Sequence, residues 1–163
     1  MRHGLLLCLK DGSWEVRGEA AAAVAVLGEP DDVERLFPLL SEEDAFVRDA
    51  AAEAILAMRS PKNLDAYRRR LAEPPWSLAW QAAHLATYAA GEGADEAVVR
   101  GIAEGGYGAY RAEAVRLLAV RPSPDLGLFL ERLLRTGQEG PTLEAVVAAL
   151  ERLCEQRSGG GEP

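Results

Sequence analysis

Apolar side chains along the chain recur at the spacing of an α-helix. One stretch places them at Val16, Ala20, Ala23, Val24 and Leu27, which share one helical face. Between such stretches, pairs of apolar residues four positions apart mark a second set of helices. These pairs are Leu5 and Leu9, Leu36 and Leu40, Tyr67 and Leu71, Val98 and Ile102, and Phe129 and Leu133. The pattern predicts an all-α fold in which the two kinds of helix alternate as hairpins.

This pattern repeats along the chain every 31 or 32 residues. Residues 11–17 read DGSWEVR and residues 42–48 read EEDAFVR, and an alanine-rich stretch follows each. Two columns run through five copies: Ala20, Ala51, Ala82, Ala114 and Val146, and Val24, Ile55, Ala86, Leu118 and Leu150. We therefore predict one repeat domain over residues 1–157, with copies at about 1–28, 29–59, 60–91, 92–121 and 122–157. The polar, glycine-rich residues 158–163 are expected to form a disordered tail.

Residues that start helices stand at matching places in the copies. Pro30, Pro61 and Pro124 lie where a first helix should begin, a position at which a missing N–H costs nothing. Ser13 and Asp44 lie three residues before the apolar stripe of a second helix, where a side-chain oxygen can cap the helix. The residues that begin helices thus recur with the same period as the apolar positions.

An acidic residue, then Val-Arg, then an alanine-rich helix resembles the short bacterial HEAT-like repeats, including those of phycobilisome-lyase-type proteins. The resemblance covers nearly the whole chain. It implies a right-handed α-solenoid of about five two-helix repeats, whose second helices line a concave groove.

The resemblance also implies a ladder of hydrogen-bonded ion pairs between the acidic and arginine positions. The pairs that fit are Asp11 with Arg17, Glu42 with Arg48, and Glu104 with Arg111. Their expected role is structural, because such pairs fix how one repeat sits on the next. The third and fifth copies depart from the family pattern, with Ala79 and Leu143 at the arginine position.

The third copy carries a group of aromatic residues on its second helix. Trp76, Trp80, His84 and Tyr88 follow one another at four-residue steps and should form one stripe. Aromatic side chains beside both signs of charge are typical of a binding hot spot. The predicted partner-binding set is Trp76, Trp80, His84, Asp49, Glu53, Arg111 and Arg116.

A second explanation of these aromatic residues is local packing. The third copy is irregular, with Pro74 and Pro75 in its turn, and its large rings could fill space beside Ala79 and Ala83. The sequence leaves both explanations open.

The charge of the chain narrows the class of partner. The net charge is −8, and residues 1–60 carry 12 acidic and 6 basic side chains against 14 and 12 in residues 61–163. An acidic field repels phosphate backbones, so we expect no nucleic acid partner and favour a protein with a basic or aromatic-containing segment. The run Arg68, Arg69 and Arg70 is expected to be a solvated face.

Motifs typical of catalysis do not occur in the sequence. There is no His-Glu dipeptide, no Gly-x-Ser-x-Gly and no Cys-x-x-Cys, and Gly105, Gly106 and Gly108 fall in a turn between helices. We expect no catalytic residue, metal or cofactor, and a non-catalytic scaffold. The alternative is an enzyme or enzyme-associated subunit of the solenoid type, chromophore lyase-like or nucleic-acid-processing, with a pocket near His84, Glu53 and Arg116.

Cysteines and the N-terminal residues bear on location and assembly. Cys8 and Cys154 lie near opposite ends of the sequence, which fits a reducing compartment, and no leader or membrane span is recognisable. We expect a cytoplasmic protein. The three leucines from Leu5 to Leu7 cannot all face inward. We therefore expect either that the chain is a piece of a longer solenoid or that its N-terminal edge, Leu5 to Leu9, docks onto a partner or a second copy.

Overall fold

The computed structural model describes residues 1–93 and 95–159, and these residues form helices and no strand. Two compact units divide the chain, Met1–Gly93 and Ala94–Pro163. The all-α fold of the prediction is confirmed.

The first unit contains three copies of the helical pattern. In chain order it consists of α1 (Arg2–Cys8), α2 (Trp14–Leu27), two 3₁₀ segments (Pro30–Arg35 and Phe37–Ser41), α3 (Ala45–Ala57), a 3₁₀ turn (Pro61–Asn63), α4 (Leu64–Arg70) and α5 (Leu78–Ala90). The second helices pack side by side, α2 against α3 and α3 against α5.

The second unit contains two further helical hairpins. Its elements are α6 (Glu96–Gly105), α7 (Gly108–Val120), α8 (Leu126–Arg135) and α9 (Gly140–Gly159). Within it, α6 packs on α7, α8 on α9, and the two second helices α7 and α9 on each other.

The alanine column predicted from the repeat lies in the core. Ala20, Ala51, Ala82, Ala114 and Val146 are all buried, and so are Val24, Ile55, Ala86 and Leu118 of the second column. Leu150 is only half-buried. Small side chains at these positions let neighbouring second helices approach closely, so the burial follows from the same residues that carry the repeat.

The predicted helix starts are largely confirmed. Ser13 Oγ accepts a hydrogen bond from the Val16 N–H at 3.5 Å, and the Asp44 carboxylate accepts one from the Phe46 N–H at 2.9 Å. Pro30 and Pro61 each open a 3₁₀ segment, whereas Pro124 stands two residues before α8.

The first element of the second copy is 3₁₀ rather than α-helical. Leu36 and Leu40 are buried as their spacing predicts. Pro38, however, has no N–H to donate to Glu34, and its ring would collide with that carbonyl in an α-helix. The chain takes the tighter turn instead, with the Leu39 N–H donating to the Leu36 carbonyl at 3.0 Å.

The arginine run in α4 is not a simple solvated face. Arg69 and Arg70 both bond the Glu34 carboxylate of the preceding copy, with Arg70 at 2.7 Å. Partial burial acts to raise the pKa of Glu34, but the hydrogen bonds from these two arginines outweigh it and hold that pKa below its ordinary value. The run therefore joins two repeats.

Both ends of the chain differ in part from expectation. Leu7 is 60% exposed, whereas Leu9 of the predicted N-terminal edge belongs to the core. Helix α9 continues through Ser158 and Gly159, two residues of the predicted tail. The Ser158 hydroxyl donates to the Cys154 carbonyl, one helical turn earlier, at 3.0 Å. Residues 160–163 of that tail lie outside the described residues.

Candidate partner-binding face

Three second helices of the first unit present equivalent positions to solvent. At steps of 31 residues, Trp14 corresponds to Ala45 and Trp76, and Ala22 corresponds to Glu53 and His84. Because α2, α3 and α5 are neighbours, these two columns run across one surface. We call it the stripe face, defined by residues 14, 22 and 26 of α2, 45, 46, 49, 53 and 57 of α3, and 76, 80, 84 and 88 at α5.

Trp76 lies in a tight turn before α5, not in the helix as the sequence suggested. The Ser77 N–H donates to the Pro74 carbonyl at 3.1 Å, which closes a four-residue turn with Pro75 and Trp76 at its centre. Trp76 has φ = 69°, a left-handed conformation that normally requires glycine. The buried Gln81 holds the turn, with Nε2 donating to the Trp76 carbonyl at 2.8 Å.

The aromatic stripe predicted for this copy is a row of touching rings. The ring centroids of Trp76 and Trp80 are 5.6 Å apart, and those of Trp80 and His84 are 4.1 Å apart with the planes inclined by 57°. Trp80, His84 and Tyr88 are half-buried. The four-residue step on α5 thus brings the Trp80 and His84 rings together as expected, and Trp76 meets Trp80 from the preceding turn.

Local packing does not account for the whole row. Trp76 is 51% exposed, so its ring does not fill an interior gap. Trp80 is half-buried between Trp76 and His84, and it contributes both to packing and to the surface.

The arginine ladder is present, but its partners differ from the predicted ones. Arg17 donates to the backbone carbonyl of Asp11 at 2.8 Å and to the carboxylate of Glu42, in the next copy, at 2.8 Å. Arg48 donates to the backbone carbonyls of Glu42 and Glu43 at 2.7 and 2.6 Å. The Asp11 carboxylate instead accepts from the Ser13 N–H, so it is already occupied within its own turn.

In the second unit, Glu104 and Arg111 likewise bond other residues instead of each other. Glu104 pairs with Arg132 at 2.8 Å. Arg111 donates to the Ala103 carbonyl at 3.3 Å and to the Gln138 side chain. Each ladder arginine therefore satisfies carbonyls of its own turn, and Arg17 and Arg111 also bond a side chain of the following copy.

The comparison with known families agrees with this architecture. The model of HEAT repeats matches residues 3–86. The chain belongs to the HEAT repeat family. No curated protein matches the chain. The matched region contains α2, α3 and most of α5, and so carries nearly all of the stripe face.

The charged residues predicted to flank the HEAT-repeat stripe fall in both units. Asp49 and Glu53 are exposed on α3 within the stripe face. Arg111 and Arg116 belong to the second unit, where the bonds of Arg111 give it a structural role. Arg116 is exposed and ion-paired with Glu113 at 3.5 Å.

A second groove of the HEAT-repeat chain lies between α7 and α9 of the second unit. It has a volume of about 440 Å³ and is lined by Arg116, Glu144, Ala148 and Arg152, among others. Small alanine side chains on both helices leave this groove open.

Sequence reasoning missed one aromatic pair on the stripe face. The rings of Trp14 and Phe46 meet edge to face, with centroids 5.8 Å apart and planes inclined by 79°. Their side chains are 44% and 42% exposed. The sequence contained a signal for this pair, because Trp14 and Trp76 are two 31-residue steps apart and so occupy the same position of the repeat. Gly18, a glycine inside an alanine-rich helix, was a second signal, since a Cβ there would overlap the Phe46 ring.

Other features relevant to chemistry are few in the described part of the chain. No group of three His, Cys, Asp or Glu side chains there is placed to hold a metal ion. Cys8 and Cys154 are free thiols. None of the helices in residues 1–93 and 95–159 has both the length and the apolar character that crossing a bilayer requires.

Proposed function

We propose that this HEAT-repeat protein is a non-catalytic scaffold that binds a segment of another protein on the stripe face. The observation that carries the proposal is Trp76. A left-handed conformation costs a bulky residue about 1–3 kcal/mol, yet this one holds a tryptophan half-exposed to solvent. Strain of this kind is typical of functional sites, and tryptophan is enriched in binding hot spots.

The charge of the first unit supports a basic segment as the ligand. Residues 1–93 carry 15 acidic and 10 basic side chains. Glu19, Asp49 and Glu53 are exposed on α2 and α3, on or next to the stripe face. Such a field attracts lysine and arginine side chains and repels a phosphate backbone, which disfavours nucleic acid.

Two shifted pKa values in the first unit have structural causes. Arg2 donates two hydrogen bonds to buried Asp32 and holds the pKa of that carboxyl below its ordinary value, although burial opposes the shift. Burial raises the pKa of Tyr67, whose hydroxyl donates to the Ile55 carbonyl at 2.6 Å. Both hydrogen-bonded groups connect neighbouring elements of the first unit.

The free thiols suit the reducing cytoplasm, where we propose that the protein acts.

The test is a selection of random twelve-residue peptides on the immobilised full chain. Peptides should be enriched in basic and aromatic residues, and their affinity for a Trp76→Gly, Trp80→Ala double variant should be at least about 30-fold weaker. The matched control is Leu128→Ala, at an exposed apolar residue of α8 outside the stripe face, which should bind like the wild type. Peptides that bind the double variant as tightly as the wild type would refute the assignment of the site.

A further inference from the structure

The Trp14 and Phe46 rings contact each other and are open to solvent at the same time. Phe46 comes from the first turn of α3 and lies across Gly18 of α2, where only a glycine leaves room for the ring. Trp14, at the first residue of α2, packs its ring against the ring of Phe46. The rings pack against each other and Phe46 packs on Gly18, yet more than two fifths of each residue faces solvent.

Carboxylates stand beside this pair. Glu15 follows Trp14, and Asp44 precedes Phe46 by two residues. A hydrogen bond from Ser13 lowers the pKa of Glu15, and the nearby charge of Asp44 acts in the opposite direction, which shows that the two acids lie within electrostatic reach of each other. Aromatic rings next to carboxylates are a good environment for an ammonium or guanidinium group, because the ring faces and the acids both attract positive charge.

We propose that Trp14 and Phe46, with Glu15 and Asp44, form a second subsite of the stripe face. This subsite binds one basic side chain of the partner segment, and the subsite of Trp76 and Trp80 binds another. This inference rests on the proposed function and extends it, because it specifies two basic side chains at a fixed separation in the ligand.

The separation follows from the helix packing. Neighbouring packed helices lie about 8–10 Å apart, so a site between α2 and α3 is about 12–15 Å from α5. An extended peptide rises about 3.3 Å per residue, and side chains on the same side of it are an even number of residues apart. The two basic residues of the ligand should therefore be about four positions apart.

The experiment follows the indole N–H signals of the full chain by NMR. The chain has three tryptophans, Trp14, Trp76 and Trp80, so each subsite has its own reporter. The first probe is the end-blocked peptide Gly-Arg-Gly-Ser-Gly-Arg-Gly, whose arginines are about four positions apart. The second probe has serine in place of one arginine, and the third has glutamate in place of both.

The two-arginine probe should shift all three indole signals with one common Kd, about tenfold or more tighter than the one-arginine probe, because binding at one subsite raises the effective concentration at the other. Trp14→Ala should reduce its affinity to that of the one-arginine probe. Leu128→Ala, at an exposed apolar residue of α8 outside the stripe face, should leave the affinity unchanged.

Two results would overturn the inference in distinguishable ways. If the Trp76 and Trp80 signals shift while Trp14 does not, or if Trp14→Ala leaves the two-arginine affinity unchanged, the second subsite is wrong and the proposed function stands. If no indole responds to either arginine probe, or if the glutamate probe acts equally, then the basic segment itself is refuted and both proposals fail.

Discussion

Trp76 shows how much one residue can depend on its neighbours. The row of aromatic residues at four-residue steps was visible in the sequence, and the rings do touch. The left-handed backbone of Trp76 was not predictable, because nothing in the residue type favours it. It results from the turn that Pro74 and Pro75 impose and from the hydrogen bond that Gln81 donates.

Comparing Trp76→Gly with Trp76→Ala separates the effect of backbone strain on stability from the effect of losing the indole ring. Both remove the contact with Trp80, but only glycine relieves the conformation at φ = 69°. The glycine variant should be about 1 kcal/mol more stable than the alanine variant, measured as the free energy of unfolding in urea. Equal stabilities would show that Trp76 is not strained.

Gly18→Ala tests the contact between α2 and Phe46. The added Cβ would overlap the Phe46 ring, so the substitution should cost about 1–3 kcal/mol of unfolding free energy. Shortening the ring with Phe46→Ala in the same chain should recover part of that loss, as a double-mutant cycle would show. Gly105→Ala is the matched control, because this helical glycine has open space around it and should be neutral or slightly stabilising. A loss at Gly105 equal to that at Gly18 would contradict the account.

At the scale of elements, the spacing of the apolar positions predicted the buried residues correctly, whereas the ladder pattern predicted the wrong partners for its arginines. The buried columns and the caps at Ser13 and Asp44 follow from local residue types, so the sequence was sufficient for them. The 3₁₀ form of the first element of the second copy was not predicted, because the apolar spacing alone indicates an α-helix whereas Pro38 prevents one. Ladder partners could not be predicted from spacing, since they depend on which carbonyls each turn leaves unsatisfied.

Arg17→Met should weaken the junction between the first two copies. The substitution removes the donor of the half-buried Glu42 carboxylate and of the exposed Asp11 carbonyl, at a cost of about 1–3 kcal/mol in urea unfolding. Arg135→Met, at an exposed arginine of α8, is the control and should change stability by less than about 0.5 kcal/mol. Equal effects of the two substitutions would refute the junction role.

The ion pair between Arg100 and Asp125 should appear in the acid stability of the chain. Two hydrogen bonds from Arg100, at 2.9 and 2.8 Å, lower the pKa of Asp125 to about 2. A carboxyl with a lowered folded-state pKa stabilises the fold above its unfolded value of roughly 4, and this contribution is lost as the pH falls towards 2.

Urea unfolding between pH 2 and 5 checks this. Wild type should be more stable than Asp125→Asn at pH 5, and the difference should shrink as the pH falls towards 2. Glu131→Gln, at an exposed carboxyl of α8, should differ from wild type by a smaller amount. A difference between wild type and Asp125→Asn that does not change with pH would show that the pair does not hold the folded-state pKa down.

For the molecule as a whole, the five copies bury equivalent positions and differ at their exposed positions. The HEAT-repeat match spans residues 3–86, and this region also holds both aromatic groups of the stripe face. The repeat therefore explains the fold, while the exposed residues that break its regularity carry the proposed function. A solenoid separates these two tasks because its neighbouring hairpins bury the shared positions and leave the others free to vary.

The most direct test of the central claim measures binding and stability together in Trp80→Ala. Isothermal titration with a selected basic peptide should show at least about a 30-fold loss of affinity, as expected for a binding anchor. The melting temperature should fall only by a few degrees, because Trp80 is half-buried and not part of the core. A sharp fall in melting temperature with peptide affinity unchanged would contradict the account and assign Trp80 to packing alone.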